Sequence, residues 1–386
     1  MASIEKRMRN GRLRWYARWV DPDDRPRSKV FDRKKDAEDF LDGIKGDIHR
    51  GAYIDPDAGK VKFKAYAEQW LAMQTFDRST REAVEQRLEK HVYPVLGNHQ
   101  LRAIKPSAIQ SWQRGISKLA ASHRRVILVN VSTIFSAAVD DEMIVKNPCR
   151  ARSVAKPKVP VKKIVPWSAK RALAVRDALV ERYRVVATLG AGLGLRQGEI
   201  FGLSPDDVDW LRGEVGVQRQ VKLFANGKQA FALPKGGKTR TVPLPANVRA
   251  ELAAYLAAHP ARTIELPWET PDGKTVAVKL FVSTREHTAV NRNYFNRLIW
   301  KPALEAAGVP KTRENGCHAL RHFYASVLLD AGESIKAVSE YLGHSDPGFT
   351  LRVYTHLMPS SSDRTKRAVD AVWHVPVMYP EVAVGP

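Results

Sequence analysis

A cationic, proline-containing segment divides the chain at residues 146–163 and constrains its architecture more than any other feature. It holds three prolines and seven basic residues but no acidic residue. Proline interrupts helices and central strands, and like charges repel one another, so residues 147–163 are predicted to form an extended basic linker. This linker is either a solvated tether or a strap along phosphates. A chain of 386 residues interrupted in this way is predicted to form two or three domains.

The chain begins with a short region of strand-like periodicity. Residues 12–20 alternate with period two, with indole rings on one side and arginines on the other, which predicts a half-buried strand with a basic outer face. A second strand is predicted to end at Phe31. Asp32 is predicted to cap a helix that stops at Gly51. Residues 1–55 are therefore predicted to form a small β-sheet with one helix.

Helical periodicity then continues from residue 61 to residue 146. Four stretches carry apolar residues at spacings of three and four, which predicts a bundle of four helices joined by short loops. Ser107 is predicted to cap the third helix, and the fourth is predicted to cover residues 122–139.

The region after the linker, residues 164–358, mixes helical and strand-like patterns. The strand-like runs are flanked by turn signals and cover residues 215–223, 229–234 and 239–244, and residues 260–280, with a Pro-Asp-Gly turn at 271–273, are predicted to form a surface hairpin. An Asn-Gly pair at 226–227 predicts a hairpin between the first two runs. The fold class predicted for the whole chain is multidomain α+β: a small β-sheet/helix domain, a helical bundle, and a mixed, mainly α domain with a small antiparallel sheet. A tail covers residues 359–386.

The net charge of the chain limits the classes of function that the protein can have. Lys and Arg number 63 against 41 Asp and Glu, which gives a net charge of +22 at pH 7. Such an excess favours a polyanionic partner, most often nucleic acid, although a generic cationic enzyme remains an alternative. A hydrophobic content of 44% is too high for a disordered basic tail. No apolar run predicts a membrane helix or a signal peptide, and two cysteines exclude a disulfide framework.

An ordered set of polar residues lies in the last large region. Its members and their surrounding sequences are Arg196 in GLGLRQGEI, Lys235 in PKGGKTRTVPL, His318 and Arg321 in HALRH, His344 in YLGHSD, and Tyr354 in LRVYTHL. This set resembles the signature of the tyrosine recombinase family, over roughly residues 165–358. In architecture, residues 1–55 and 61–146 are similar to the arm-site-binding and core-binding domains of phage-type integrases.

Phosphodiester cleavage independently favours these residue types. Negative charge builds on the non-bridging oxygens, and a guanidinium is planar, always charged and bidentate to phosphate, which suits Arg196 and Arg321. Histidines such as His318 and His344 donate hydrogen bonds to the same oxygens or move protons near neutral pH. His318 and His322 have a spacing found in zinc sites, but the glutamate of a metalloprotease helix and a third ligand are missing. No metal and no cofactor are predicted.

The resemblance implies a role for each remaining residue. Tyr354 attacks the phosphodiester and forms a 3′-phosphotyrosyl ester with a free 5′-hydroxyl. Lys235, which is predicted to lie in a hairpin turn, protonates the leaving 5′ oxygen, with Lys238 as a rival for this role. Glu199, three residues after Arg196, orients that arginine by ion pairing.

The implied function is site-specific recombination that integrates and excises a phage or mobile element. The implied partners are double-stranded DNA attachment sites, a homotetramer assembled on DNA, and an excisionase and a host DNA-bending protein, in the cytoplasm of a bacterial host. Residues expected to contact DNA are Arg12, Arg14, Arg18, Lys156, Lys158, Lys162 and Lys163. The tail after Tyr354 is expected to dock on a neighbouring protomer. The alternatives are a type IB topoisomerase-like enzyme and a non-catalytic DNA-binding protein.

Overall fold

The computed structural model describes residues 2–9, 11–51, 53–160 and 164–354, together with residues 366, 369, 370 and 372. The chain divides into two compact units, Met1–Val161 and Lys162–Pro386. The boundary between them falls inside the predicted basic linker. None of the described helices combines the length and apolar character needed to cross a membrane.

The first unit opens with an antiparallel sheet in the order β1-β2-β3. These strands and the helix that follows are Ser3–Arg9 (β1), Arg12–Val20 (β2), Pro26–Phe31 (β3) and Lys34–His49 (α1). The predicted alternation along β2 is confirmed, because Ala17 and Trp19 are buried with Leu41 of α1. The indole of Trp19 donates a hydrogen bond to the hydroxyl of Tyr53 at 2.9 Å.

Two local predictions in this region need correction. Sequence periodicity misses β1, because most of its side chains are charged; it becomes a strand by pairing with β2. Asp32 does not cap α1. The helix begins one residue later, with Arg33 at the cap position and no side-chain hydrogen bond there. The carboxylate of Asp32 instead forms an ion pair with Arg14 on β2.

The rest of the first unit is helical. Its helices are Phe63–Met73 (α2), Arg78–His91 (α3), Tyr93–Leu96 (α4), Pro106–Gly115 (α5) and Ala121–Asp140 (α6). Four of these are the predicted long helices, packed around side chains such as Phe63, Trp112 and Phe135. Ser107 is not a cap, because Pro106 already begins α5 and Lys105 occupies the cap position.

The start of the basic linker belongs to this helical core. A short 3₁₀ turn covers Pro148–Arg150, and both Cys149 and Val154 are buried among the core side chains. The chain between residues 148 and 154 is therefore packed rather than a free tether. The basic side chains of Arg150 and Arg152 are nevertheless exposed, as are those of Lys156 and Lys158 beyond Val154.

The second unit is mainly helical. Its helices are Ala169–Ala178 (α7), Glu181–Leu193 (α8), Gln197–Gly202 (α9), Ala246–Ala258 (α10), Arg292–Tyr294 (α11), Lys301–Ala306 (α12), His318–Asp330 (α13), Ile335–Leu342 (α14) and Pro347–Tyr354 (α15). A π-helical turn, Phe295–Trp300, joins α11 to α12.

Small antiparallel sheets complete this unit. The strands are Val208–Asp209 (β4), Glu214–Val217 (β5), Gln220–Leu223 (β6), Gln229–Ala232 (β7), Arg240–Pro243 (β8), Arg262–Pro267 (β9) and Thr275–Leu280 (β10). They pair as β4-β5-β8, β6-β7 and β9-β10. The predicted hairpins at 226–227 and 260–280 are confirmed by the last two pairings.

The run 215–223, predicted as one strand, is two strands of different sheets. The chain turns at residues 218–219, where Arg219 binds the carboxylate of Asp207 through two hydrogen bonds of 2.6 and 2.9 Å. Before this turn β5 pairs with β8, and after it β6 pairs with β7. Likewise, β7 and β8 do not pair with each other, so Lys235 lies in a loop between two sheets rather than in a hairpin turn.

Candidate active site

Arg196 lies where α8 turns into α9. Gly194 ends α8 in the left-handed region, with φ of 64°, and an added Cβ there would overlap the ring of Tyr324. Glycine is therefore required at this position. The turn places Arg196 at the cap position of α9, where one guanidinium nitrogen donates to the backbone oxygen of Gly343 at 2.9 Å.

Glu199 joins two arginines. Its side chain is fully buried, and its carboxylate lies 2.7 Å from the guanidinium of Arg196, as the sequence predicts. The sequence analysis missed the second partner, Arg240, which binds both carboxylate oxygens at 3.0 and 2.7 Å. Burial opposes ionisation of Glu199, but the hydrogen bonds and charges of the two arginines outweigh it and lower its pKa to about 2.

Arg321 is almost fully buried, at 1% exposure. Its two terminal nitrogens donate to the backbone oxygens of Gly194, at 2.7 Å, and of Leu342. Its Nε is buried without a hydrogen-bond partner in the described structure. Burial, with the nearby charge of Arg196, lowers the pKa of Arg321 to about 9, which leaves the group charged at neutral pH.

His344 follows the left-handed Gly343 that ends α14. Its Nδ1 lies 2.7 Å from the hydroxyl of Thr350, which is fully buried. Burial and the positive charges of Arg321 and Arg196 lower the pKa of His344 to about 3. The imidazole is therefore neutral at pH 7 and is held by Thr350 through one ring nitrogen.

Tyr354 ends α15 and is 1% exposed. Its hydroxyl lies 2.6 Å from Nδ1 of His322, a residue that the sequence analysis considers only as a metal ligand. His318 lies one helical turn before His322 on α13, with the two ring centroids 4.7 Å apart. Burial raises the pKa of Tyr354 to about 12, although the charge of Arg321 opposes this shift.

Lys235 and Lys238 are both exposed in the loop of residues 233–239. No described hydrogen bond or ion pair joins either lysine to the cluster around Glu199. Gly236 and Gly237 in this loop have φ of 87° and 72°. The loop is held at both ends: the backbone oxygen of Phe231 accepts from Glu269 at 2.6 Å, and Arg240 donates to the backbone oxygen of Tyr341 at 2.7 Å.

The arginines predicted to contact DNA lie on the outer face of the first sheet. Arg12 is exposed. Arg14 lies opposite Arg7 in the β1–β2 register, and Arg18 lies 2.9 Å from the carboxylate of Glu5. Each of these two opposed arginines has a carboxylate partner, since Arg14 pairs with Asp32 and Arg7 with Glu5.

The other residues predicted to contact DNA lie in the sequence just after the helical bundle or outside the described residues. Lys156 and Lys158 are exposed. Lys162 and Lys163 lie outside the described residues, as does most of the tail predicted to dock on a neighbouring protomer. Within the tail, Val372 is exposed.

Comparison with known proteins matches both units. A model described as the phage integrase family covers residues 161–360, and a model described as the phage integrase N-terminal SAM-like domain covers residues 62–117.

Curated relatives align over most of the chain. A tyrosine recombinase XerC-like protein of Caldanaerobacter subterraneus subsp. tengcongensis is 30% identical over 359 residues, which cover 84% of this chain and 86% of the relative. The integrase of Mycobacterium phage L5 is 25% identical over 359 residues, covering 90% and 91% of the two chains.

Solved structures share the fold. The Tn1549 transposon integrase in complex with transposon right end DNA aligns with a TM-score of 0.66 at 18% identity, over 81% of this chain and 99% of that one. A lambda integrase tetramer bound to a Holliday junction aligns with a TM-score of 0.58 at 16% identity, over 89% and 96%.

The fold and the family matches define the class as a DNA strand-cleaving and strand-exchanging enzyme. This chain belongs to the phage integrase family and is a tyrosine recombinase, a site-specific DNA recombinase that cuts and rejoins DNA. The resemblance expected from the ordered polar residues is thereby confirmed.

Proposed function

We propose that Tyr354 is the nucleophile of this recombinase and that Arg196, Arg321, His318 and His344 bind the scissile phosphate. Attack by the Tyr354 hydroxyl forms the phosphotyrosyl bond and breaks the bond to the 5′ oxygen. Lys235, or Lys238 from the same loop, gives that oxygen its proton. The 5′-hydroxyl of a partner duplex then attacks the phosphotyrosine and restores a phosphodiester, so the bond energy is conserved.

The charge balance around Glu199 carries this proposal. Three guanidiniums, those of Arg196, Arg240 and Arg321, gather beside one carboxylate in the described part of the second unit. Buried charges in proteins are normally paired. A cluster with two excess positive charges therefore favours an anionic ligand, and a phosphate diester offers two non-bridging oxygens to it.

The hydrogen bonds from Arg196 and Arg321 to backbone oxygens also support their role in binding the phosphate. Arg196 and Arg321 each donate to the end of α14 near Gly343, and Arg321 donates to Gly194 as well. These contacts fix both guanidiniums before any substrate binds. Preorganised donors stabilise developing charge without reorganising during the reaction.

The proposed partners follow from the family. We propose double-stranded attachment sites as substrate and a homotetramer as the active assembly, supported by the tetramer of lambda integrase on a Holliday junction. The outer face of the first sheet, with Arg12, Arg14 and Arg18, is proposed to bind a separate arm site, and Lys156, Lys158, Lys162 and Lys163 to follow phosphates. An excisionase, a host bending protein, a cytoplasmic location and docking of the tail belong to the same proposal.

Covalent trapping tests the proposal. The full chain is incubated with nicked duplexes that cover the DNA on both sides of its gene, and the mixture is denatured in detergent. Wild type is expected to leave a DNA adduct, and Tyr354→Phe is expected to leave none while binding the same DNA.

Two outcomes would overturn the assignment of Tyr354, and a third would change the class of reaction. An adduct formed by Tyr354→Phe would place the nucleophile elsewhere. Binding by both proteins without any adduct would remove the catalytic role. Relaxation of a plasmid that lacks an attachment site would instead favour topoisomerase chemistry.

A further inference from the structure

The hydroxyl of Tyr354 has one described partner, the imidazole of His322. The two atoms, Tyr354 Oη and His322 Nδ1, lie 2.6 Å apart, and the ring centroids lie 5.7 Å apart at 59°. Tyr354 is 1% exposed, so bulk water has little access to the phenolic proton. A proton released by this hydroxyl can pass directly to the adjacent imidazole of His322.

Both groups are in the protonation states that such a transfer needs. Burial lowers the pKa of His322 to about 4, assisted by the charge of Arg321, and burial raises that of Tyr354 to about 12. The imidazole is therefore neutral and the phenol is protonated at pH 7. A neutral imidazole with its hydrogen on Nε2 accepts a hydrogen bond at Nδ1.

Helix α13 brings this acceptor to the phosphate-binding groups. His318, Arg321 and His322 all lie in its first turns, and His318 packs edge-on against His322 at 4.7 Å. Arg321 is tied to backbone oxygens on both sides of the cluster. These hydrogen bonds of Arg321 anchor the start of α13, and the anchored helix in turn positions His322.

We propose that His322 is a further catalytic residue, which accepts the phenolic proton of Tyr354 as the nucleophile attacks. The proposal rests on the role of Tyr354 proposed above. The Oη–P bond forms, the P–O5′ bond breaks, and the phenolic proton moves to Nδ1 to give an imidazolium. The 5′ oxygen receives a separate proton from the lysine loop. On religation a 5′-hydroxyl forms the new P–O5′ bond and gives its proton back to the lysine loop, while the Oη–P bond breaks and the imidazolium returns its proton to the phenolate.

The charge changes balance during this step. The imidazolium forms as the phosphorus gains the attacking oxygen, so the new positive charge lies beside the new negative charge. The nearby positive groups that oppose it are Arg321 and, when protonated, His318. A bound phosphate compensates for these charges, because it brings a negative charge to the same cluster.

The test compares His322→Gln with wild type in the trapping assay on the same nicked duplexes. Glutamine keeps a hydrogen-bonding side chain of similar reach but cannot take the proton. General-base loss typically costs 10²–10⁴ in rate, so adduct formation is expected to slow by at least about a hundredfold. His287→Gln, an exposed histidine in the same unit, is the matched control and is expected to react at the wild-type rate.

A second measurement separates proton transfer from a structural role. Fluorinated tyrosine at position 354 ionises more readily and needs less help from a base. It is expected to restore most of the lost rate in His322→Gln and to change wild type little. If His322→Gln only disturbed the structure, fluorinated tyrosine would change the rate little in both wild type and the variant, and that result would overturn the proposal. A His322→Gln rate equal to or above the wild-type rate would also overturn it.

The two proposals fail in different ways. If wild type forms no adduct, the role of Tyr354 is wrong and His322 loses its function with it. If wild type forms the adduct and Tyr354→Phe does not, but His322→Gln reacts normally, only the role of His322 is wrong.

Discussion

Replacing Glu199 by glutamine removes the carboxylate that joins Arg196 to Arg240. The side chain is fully buried, and Arg240 is only 6% exposed, so the variant leaves positive charge buried without its partner. Breaking a buried ion pair from one side costs about 3–5 kcal/mol. The lowered pKa gives a similar figure: a fall from 4.5 to about 2 corresponds to about 3 kcal/mol of stability at neutral pH.

The pH dependence of this contribution has a defined sign. Ionisation of Glu199 is favoured in the folded state, so its contribution is complete above the ordinary carboxyl pKa of 4.5 and declines as pH falls toward 2. The difference between wild type and Glu199→Gln should therefore be largest at neutral pH. It should shrink steadily on acidification.

The assay is urea denaturation of the full chain, with hydrogen exchange of peptides from α8 and α13 reporting the free energy of unfolding of the second unit. Glu251→Gln is the matched control, since Glu251 forms an exposed pair with Arg176 at 2.9 Å. Exposed pairs contribute about 0–1 kcal/mol. A loss of less than about 1 kcal/mol in Glu199→Gln, or a difference that stays constant between pH 7 and pH 3, would refute the reasoning.

Two further changes test the roles of single side chains. Thr350→Val keeps the shape of the buried residue but removes the hydroxyl that holds His344. A hydrogen bond of this kind contributes about 1 kcal/mol. Strand cleavage should therefore slow roughly fivefold to tenfold, while DNA binding stays unchanged. An unchanged cleavage rate in single-turnover assays would show that His344 is oriented by other contacts. Arg12→Gln should reduce the slope of log K against log salt by about 0.9 for DNA bound by the first sheet, whereas Lys45→Gln on α1 should leave it unchanged. Equal slopes for the two variants would place the DNA on another face.

The main elements follow from local patterns in the sequence. The two unit cores have strong helical periodicity, and the Asn-Gly turn and the 260–280 hairpin are local signals that tertiary structure did not override. The strand β1 lacked such a signal, because its side chains are mostly charged. It exists through its pairing with β2, and a pairing of this kind cannot be read from one strand alone.

In the candidate site, too, contacts between residues close in sequence were predictable and contacts between distant residues were not. The pair Arg196–Glu199 lies within one turn and was predictable from spacing. The contacts of Glu199 with Arg240 and of Tyr354 with His322 join residues 41 and 32 positions apart. Their only advance signals were an arginine at the start of a strand and a histidine directly after Arg321, and neither signal names its partner.

The loop that carries Lys235 has a mechanical consequence. It spans residues 233–239, and both its ends are immobilised: one by the hydrogen bond between Phe231 and Glu269, the other by Arg240. Its paired glycines supply bending points in the middle. The loop is therefore anchored at both ends, and its two glycines offer backbone freedom only in the middle. Under the mechanism proposed above, Lys235 or Lys238 would then reach the departing oxygen by a change confined to this loop.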